Sequence, residues 1–282
     1  MPFRDVVVLE GGLGNQLFQF AYALGRTGTP AVLDNRRRVQ WGEPLRGVLG
    51  DGSWRPVSQA ELLALGQCPR LPRGQRTAIR LWDRFLGFLG EDYHFVAPDA
   101  VSEPEPAVGR RLLEGYFQHE AFVDPVRDLL IDSFVPDLTT RHSALPEGSL
   151  DVAISFRLGD DYRVAEMVLP DAYYANALQA LTRDGDWTLH VCADEGDAAA
   201  ELLARVGYAG RVVDHSDEDV VEQLRVLASA RRLAISNSTF AWWGAWIGDS
   251  IHHATREVFA PDSWLAAPDS VRRSSWRPLP VI

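Results

Sequence analysis

The chain contains no lysine; all 28 of its basic residues are arginine. That absence excludes a Schiff-base lysine, a phosphate-loop lysine and a lysine general base. Any phosphate met by a side-chain cation is met by arginine, which can bind two oxygens at once. Cysteine is nearly absent too. Cys68 and Cys192 are the only two, which makes neither a disulfide framework nor a zinc cluster, so a reducing cytoplasm is expected. No run of about 18 apolar residues is present, so no helix is expected to span a membrane. The chain opens without the basic and apolar regions of a secretory leader. Positive charge is in deficit: the net charge of −11 argues against a nucleic-acid binder that works by neutralising phosphate.

What is present suits a globular protein of one or two domains: 282 residues, 46% hydrophobic and 24% charged. Val6-Val7-Val8-Leu9 reads as a short buried strand, followed by a glycine-rich turn from Gly11 to Gly14. Leu13, Leu17, Phe20 and Leu24 then recur on one helix face. Ala31-Val32-Leu33 is a second strand, ended by Asp34, and such a strand–helix–strand unit is parallel. A glycine turn followed by an acid about 20 residues on imitates a dinucleotide fingerprint, but Leu17 stands where its third glycine belongs. A dinucleotide oxidoreductase therefore fits poorly.

Residues 35 to 112 are less regular. They include a helical candidate, Gln75 to Leu89, with Ile79, Trp82, Phe85, Leu86 and Leu89 on its apolar face. Arg73, Arg76, Arg80 and Arg84 recur on another face. Such a stripe is a solvated face or, on a sharper reading, a peripheral contact with an acidic or lipid-linked partner at a membrane surface. Glu114-Gly115-Tyr116-Phe117-Gln118-His119 suggests a strand ending at a cleft, and residues 141–150 read as a linker.

Beyond the linker, strand candidates are Asp151 to Phe156, Trp187 to Cys192, Arg211 to Val213, Arg232 to Ile235 and Glu257 to Phe259. Helix candidates between them are Tyr173 to Leu181, Ala198 to Val206 and Asp219 to Ala230. Strands alternating with helices imply parallel sheets covered on both faces. The expected fold is thus α/β, with two Rossmann-like domains whose sheets face a central cleft where ligands bind. The expected domains are 1–145 and 146–282, with the last ~20 residues packing back on the first.

Three stretches carry chemistry. Ile235-Ser236-Asn237-Ser238-Thr239-Phe240-Ala241-Trp242-Trp243-Gly244 runs from a buried strand through small polar residues into an aromatic helix. A helix N-terminus favours phosphate, and Ser236, Ser238 and Thr239 add hydroxyl donors; the plainer reading is an N-cap cluster. Arg157-Leu158-Gly159-Asp160 places an arginine just past a strand, where it can reach an anion or pair with Asp160 or Asp161. Asp194 and Glu195 follow the next long strand, where acids read a ribose or base edge or open a helix. Asp217-Glu218-Asp219 looks like a metal-binding triplet. It follows Ser216 and opens a helix, which makes it a capped, acid-rich first turn, and no metal site is assigned.

Together with Gly11-Gly12-Leu13-Gly14-Asn15-Gln16-Leu17-Phe18-Gln19-Phe20, these stretches resemble glycosyltransferase family 11, the α-1,2-fucosyltransferases. Gly115-Tyr116-Phe117-Gln118, Leu169-Pro170 before Tyr173-Tyr174, and Ala260-Pro261 before Trp264 agree, in the family's order and over nearly the whole chain. The resemblance implies a fold of the GT-B type, with acceptor binding mainly in the N-terminal half and GDP-fucose mainly in the C-terminal half. It implies inversion at the sugar carbon, no metal and no other cofactor. It places Arg157 on the donor's β-phosphate, with Gly12, Gly14, Asn15 and Gln16 of the glycine turn near the same diphosphate. Asn237, Ser238 and Thr239 hold phosphate oxygens, and Asp194 and Glu195 face the nucleoside. The acceptor is a glycan, a glycolipid precursor or a small glycoside.

The family's middle motif reads His-x-Arg-Arg-Gly-Asp, whereas this chain has Ser155-Phe156-Arg157-Leu158-Gly159-Asp160. Ser155 and Leu158 leave open another GDP-linked deoxysugar, or a GDP-sugar-binding protein without turnover. For the general base the candidates are Glu10, His119 and Asp160, with the departing diphosphate as the remaining proton acceptor.

Overall fold

The computed structural model of the protein describes residues 5–34, 45–58, 61, 111–139, 152–251, 256–264 and 271–281. The chain forms two compact units, Met1–Leu45 with Asp51–Leu130, and Arg46–Gly50 with Ile131–Ile282. The arginine stripe of residues 73–84 and the linker of 141–150 lie outside the described residues.

The first unit is built on a four-stranded sheet of order β3-β2-β1-β4. Its strands are β1 (Asp5–Val8), β2 (Ala31–Asp34), β3 (Trp54–Pro56) and β4 (Arg111–Leu113), all paired in parallel. The crossover helix α1 (Leu13–Thr27) packs Leu13, Leu17, Phe20 and Leu24 out of solvent, as the periodicity predicts, and buries Phe18 as well. It stops at Gly28, whose φ of 73° lets its N–H turn back onto the Leu24 carbonyl. Val6, Val8, Val32 and Leu112 form a core on the sheet. β3 was not expected, since Trp-Arg-Pro has no apolar alternation; its backbone register with β2 makes it a strand.

The second unit carries a six-stranded parallel sheet of order β10-β9-β8-β5-β6-β7. Every strand and helix expected in this half is present. The strands are β5 (Val152–Phe156), β6 (Thr188–Ala193), β7 (Arg211–Asp214), β8 (Arg232–Ala234), β9 (Glu257–Pro261) and β10 (Arg277–Leu279). The longer helices, counted on from α1, are α2 (Asp171–Thr182), α3 (Gly196–Arg205), α4 (Val220–Ser229) and α5 (Thr239–Ile251). β5 lies inside the sheet and is buried along its whole length, whereas β7 is an exposed edge. β10 was not foreseen. It extends this sheet beside β9. The fold is therefore α/β with two parallel sheets. No described helix is long and apolar enough to cross a membrane.

Helices α4 and α5 approach unusually closely because α5 carries glycine at 244 and 248. A β-carbon on Gly244 would lie 2.6 Å from the Leu227 β-carbon, and one on Gly248 would lie 1.4 Å from Arg256 Nη1. Arg256 is buried there. Its guanidinium donates to the carbonyls of Ala230 (2.8 Å), Ala245 (3.0 Å) and Leu227. Two of these belong to the end of α4, where helical carbonyls lack an intrahelical partner. On its other side α5 buries Trp242, Trp243 and Trp246 completely. Trp242 donates to the Val271 carbonyl at 2.6 Å, and Trp276 to Asp249 at 2.7 Å. The aromatic run that opens this helix is thus core.

Candidate functional site

In the first unit the candidate residues gather where β1 and β4 end side by side. Gly11 has a φ of 73°, and a β-carbon on it would fall 2.6 Å from Asn15 Nδ2, so both backbone and space require glycine. Gly12 is the N-cap of α1, and Gly14, Asn15 and Gln16 lie in its first turn. Gln16 is fully buried: Nε2 donates to the Gly11 carbonyl at 2.8 Å, while Oε1 has no partner among the described residues. Gln19 clamps both strand ends. Its Oε1 accepts from the Glu10 backbone N–H at 2.9 Å and its Nε2 donates to the Gly115 carbonyl at 2.9 Å. Gln118 donates to Asn15 Oδ1 at 2.9 Å. The two motifs, about a hundred residues apart, thus form one structure. Phe117, at a positive φ of 51°, is held by stacking on Tyr22 with ring centroids 3.9 Å apart, and Tyr116 beside it is exposed.

His119 caps a four-residue helix, Glu120–Val123, by accepting the Ala121 N–H on Nδ1 at 3.0 Å. That bond occupies one ring nitrogen with a structural task.

In the second unit the candidates meet at the C-terminal ends of β5, β6 and β8. Phe156 and Ala193 are the last paired residues of β5 and β6, so Arg157 and Asp194 leave the sheet as neighbours. Asp194 accepts the backbone N–H of Leu158 at 2.7 Å and of Gly159 at 2.9 Å, and lies 3.1 Å from Arg157 Nη1. Arg157 Nη2 bonds Asp161 at 2.6 Å, and its guanidinium sits over the Tyr162 ring, 4.8 Å from the centroid. Asp160 and Asp161 open a short helix, Asp160–Val164, and Asp160 pairs with Arg163 at the surface. Of the pairings open in the sequence, Arg157 thus takes Asp161.

The polar loop before α5 is knitted to this turn. The buried Ser155 accepts the Ser236 N–H at 2.9 Å, with the two hydroxyls 3.3 Å apart. The Asn237 carbonyl accepts from the Tyr162 hydroxyl at 3.0 Å, and its Nδ2 donates to the Met167 carbonyl at 2.8 Å. Asn237 Oδ1 is buried without a partner among the described residues. The Ser238 carbonyl accepts the Trp242 N–H at 2.9 Å, the first bond of α5. Ser238 is buried, Thr239 is half-buried, and the first turn of α5 holds no acid. Glu195 is the N-cap of α3 but makes no side-chain cap bond. Asp219 does cap α4, accepting from Val221 and Glu222, so the acidic triplet is a helix start.

Tyr162 was missed in the sequence. It joins Arg157 to Asn237, and burial pushes its phenol above the usual 10, an effect partly opposed by Arg157. Its one sequence signal was its place beside the acids following the arginine turn.

Chemically, this end of the second unit presents an oriented, partly exposed guanidinium and the positive end of a 13-residue helix. Such donors suit an anion carried by a small molecule.

No protein-family model matches the chain. The O-antigen biosynthesis glycosyltransferase WbnK of Escherichia coli is 24% identical over 169 residues, 55% of each chain. The chain thus spans about half the length of that curated relative. Among solved structures it is similar to the fucosyltransferase NodZ of Bradyrhizobium (14% identity, 88% of this chain and 93% of that one, TM-score 0.47). It is also similar to a variant of Arabidopsis thaliana FUT1 in complex with GDP (14% identity, 98% and 75%, TM-score 0.46). The TM-scores lie below 0.5, and the fold described above rests on the strands of this chain.

Proposed function

We propose that the protein is a glycosyltransferase of the GT-B type that moves L-fucose from GDP-fucose to a hydroxyl of a glycan, glycolipid precursor or small glycoside. On this reading the sugar carbon is inverted and the linkage is α-1,2, as in glycosyltransferase family 11. The observation that carries it is Arg157, held past the end of a buried parallel strand in a chain without lysine. Departure of GDP leaves new negative charge on the diphosphate, and groups that meet this charge in the transition state raise the rate. Arg157 can bind two phosphate oxygens, and the start of α5 at Ser238 and Thr239 adds amides and hydroxyls. These donors take the part that a metal plays in other sugar transferases. The acceptor hydroxyl loses a proton in the same step, and its acceptor is the departing diphosphate or one of the carboxylates and imidazole named in the sequence, Glu10, Asp160 and His119. The name of the Escherichia coli relative points to the same class of reaction.

A second reading, transfer of another GDP-linked deoxysugar, is favoured by one observation. Ser155 stands where the family motif has histidine, and it is buried and bonded to Ser236. Calorimetric titration with GDP, GDP-fucose, GDP-mannose, UDP-glucose and NADH, with EDTA throughout, tests both. Tight binding of GDP and GDP-fucose supports the first reading. Preference for another GDP-sugar supports the second, and no binding of any GDP compound refutes both.

A further inference from the structure

We propose that Asp194 is a positioning residue for Arg157 rather than a reader of the nucleoside. The inference rests on the transferase reading above. Three donors converge on this one carboxylate. Oδ1 takes the Leu158 amide; Oδ2 takes the Gly159 amide and faces Arg157 Nη1. With both oxygens committed to the turn, little of the carboxylate is left for a ribose or a base edge.

The turn is shaped around it. Gly159 has a φ of −64°, which any residue can adopt, so its backbone does not demand glycine. Space does: a β-carbon would lie 2.7 Å from Asp194 Oδ2. The strand order explains why the acid comes from residue 194. β6 is the neighbour of β5, and the residue following its last pair is the first that can face the turn.

The two acids on Arg157 differ in standing. The Asp194 side chain is 19% exposed and fixed by two amides, whereas Asp161 is 50% exposed on a five-residue helix. A diphosphate competing for the guanidinium displaces Asp161 from Nη2 and leaves Asp194 on Nη1. Arg157 therefore meets its ligand already oriented, with less side-chain entropy left to lose. Glu195 has no part in this hold.

The test compares Asp194→Ala with the parent protein, and again in an Arg157→Lys background, which keeps a charge but loses the planar fork. Affinities for GDP and UDP are measured by calorimetry, and circular-dichroism melts report folding. The expected result is a loss of about 10-fold or more in GDP affinity, an unchanged GDP-to-UDP ratio, and little further loss in the Arg157→Lys background. If Asp194→Ala does not fold, Asp194→Asn, which keeps one acceptor oxygen, carries the same comparison. An equal loss in both backgrounds overturns the proposal, as does collapse of the GDP preference, which marks a nucleoside reader. Tighter binding on removal also overturns it, by showing that the carboxylate occupies the ligand's place. Failure of the parent protein to bind either nucleotide overturns the transferase reading and this one together, a result distinct from the other three.

Discussion

Replacing Arg256 by methionine should be among the most damaging single changes in the second unit. The guanidinium is buried and donates to the carbonyls of Ala230, Ala245 and Leu227, with Asp249 3.8 Å away. Burial pushes Arg256 down to about 10, partly opposed by Asp249, so it remains a cation at neutral pH. Methionine keeps most of the aliphatic stem and removes every donor. Hydrogen bonds to a charged group contribute about 1.5–3 kcal/mol each, from which the cost of burying the charge is subtracted. Three lost bonds and two stranded carbonyls at the end of α4 give a net loss of about 3–5 kcal/mol. For a unit of this size that corresponds to a fall in Tm of roughly 6–20 °C. Tryptophan fluorescence is the suitable probe, because Trp242, Trp243, Trp246 and Trp276 are all buried in this unit. Arg256→Lys should recover only part of the loss, since one ammonium cannot span the three carbonyls. A loss below about 1 kcal/mol in Arg256→Met would refute the reasoning, because unpaired buried carbonyls alone cost more than that.

Three further outcomes are expected. Arg157→Ala should lower sugar transfer by about 100- to 1,000-fold while leaving the melting curve almost in place; near-normal turnover would sink the proposed role. Gly159→Ala should weaken GDP binding roughly tenfold with a stability change under about 1 kcal/mol, since its φ of −64° tolerates alanine and the clash falls on Asp194; calorimetry and melts separate the two effects. The third concerns His215, whose Nε2 lies 2.9 Å from His190 Nδ1. Burial lowers its folded pKa below the ordinary 6.5, against Glu218, Glu222 and Asp214, which raise it, and with Arg225, which lowers it further. The unfolded chain therefore binds more protons. Stability is full above about pH 6.5 and falls as pH drops through the folded value, by at most about 1.4 kcal/mol per unit. Urea midpoints at about pH 7.5 and 5.5 should show this slope, and His215→Gln should flatten it; a parent midpoint that does not move would count against the assignment.

Much of the architecture was legible because parallel sheets write themselves as short apolar runs separated by amphipathic helices. β1, α1 and β2 follow from Val6 to Leu33 alone, and the second sheet from Asp151 to Phe259, with ends displaced by a residue or two. β3 and β10 were hidden, since Trp-Arg-Pro and Arg-Pro-Leu take their strand character from the neighbour's register rather than from their own pattern. At the candidate site the residue types were readable but their partners were not. Nothing near Ser155 in the sequence points to Ser236, and nothing near Leu158 points to Asp194. Both contacts depend on β5 lying between β8 and β6, an order that the one-dimensional pattern does not contain. The same limit hid Arg256, which looks like an ordinary surface arginine until α4 and α5 are packed.

The position of β5 also bears on how the molecule comes into being. One side of this strand is covered by β6, but the other waits for β8, and the residues that join there, Ser155 and Ser236, stand 81 positions apart. During synthesis the most buried strand of the sheet therefore spends a long interval with one hydrogen-bonding edge open. Closing it is a late, non-local step, of the kind that slows folding and exposes a sticky intermediate. Truncation before β8 removes more than a terminal segment: it leaves the nascent chain with an unsealed centre, suited to capture by another copy of itself.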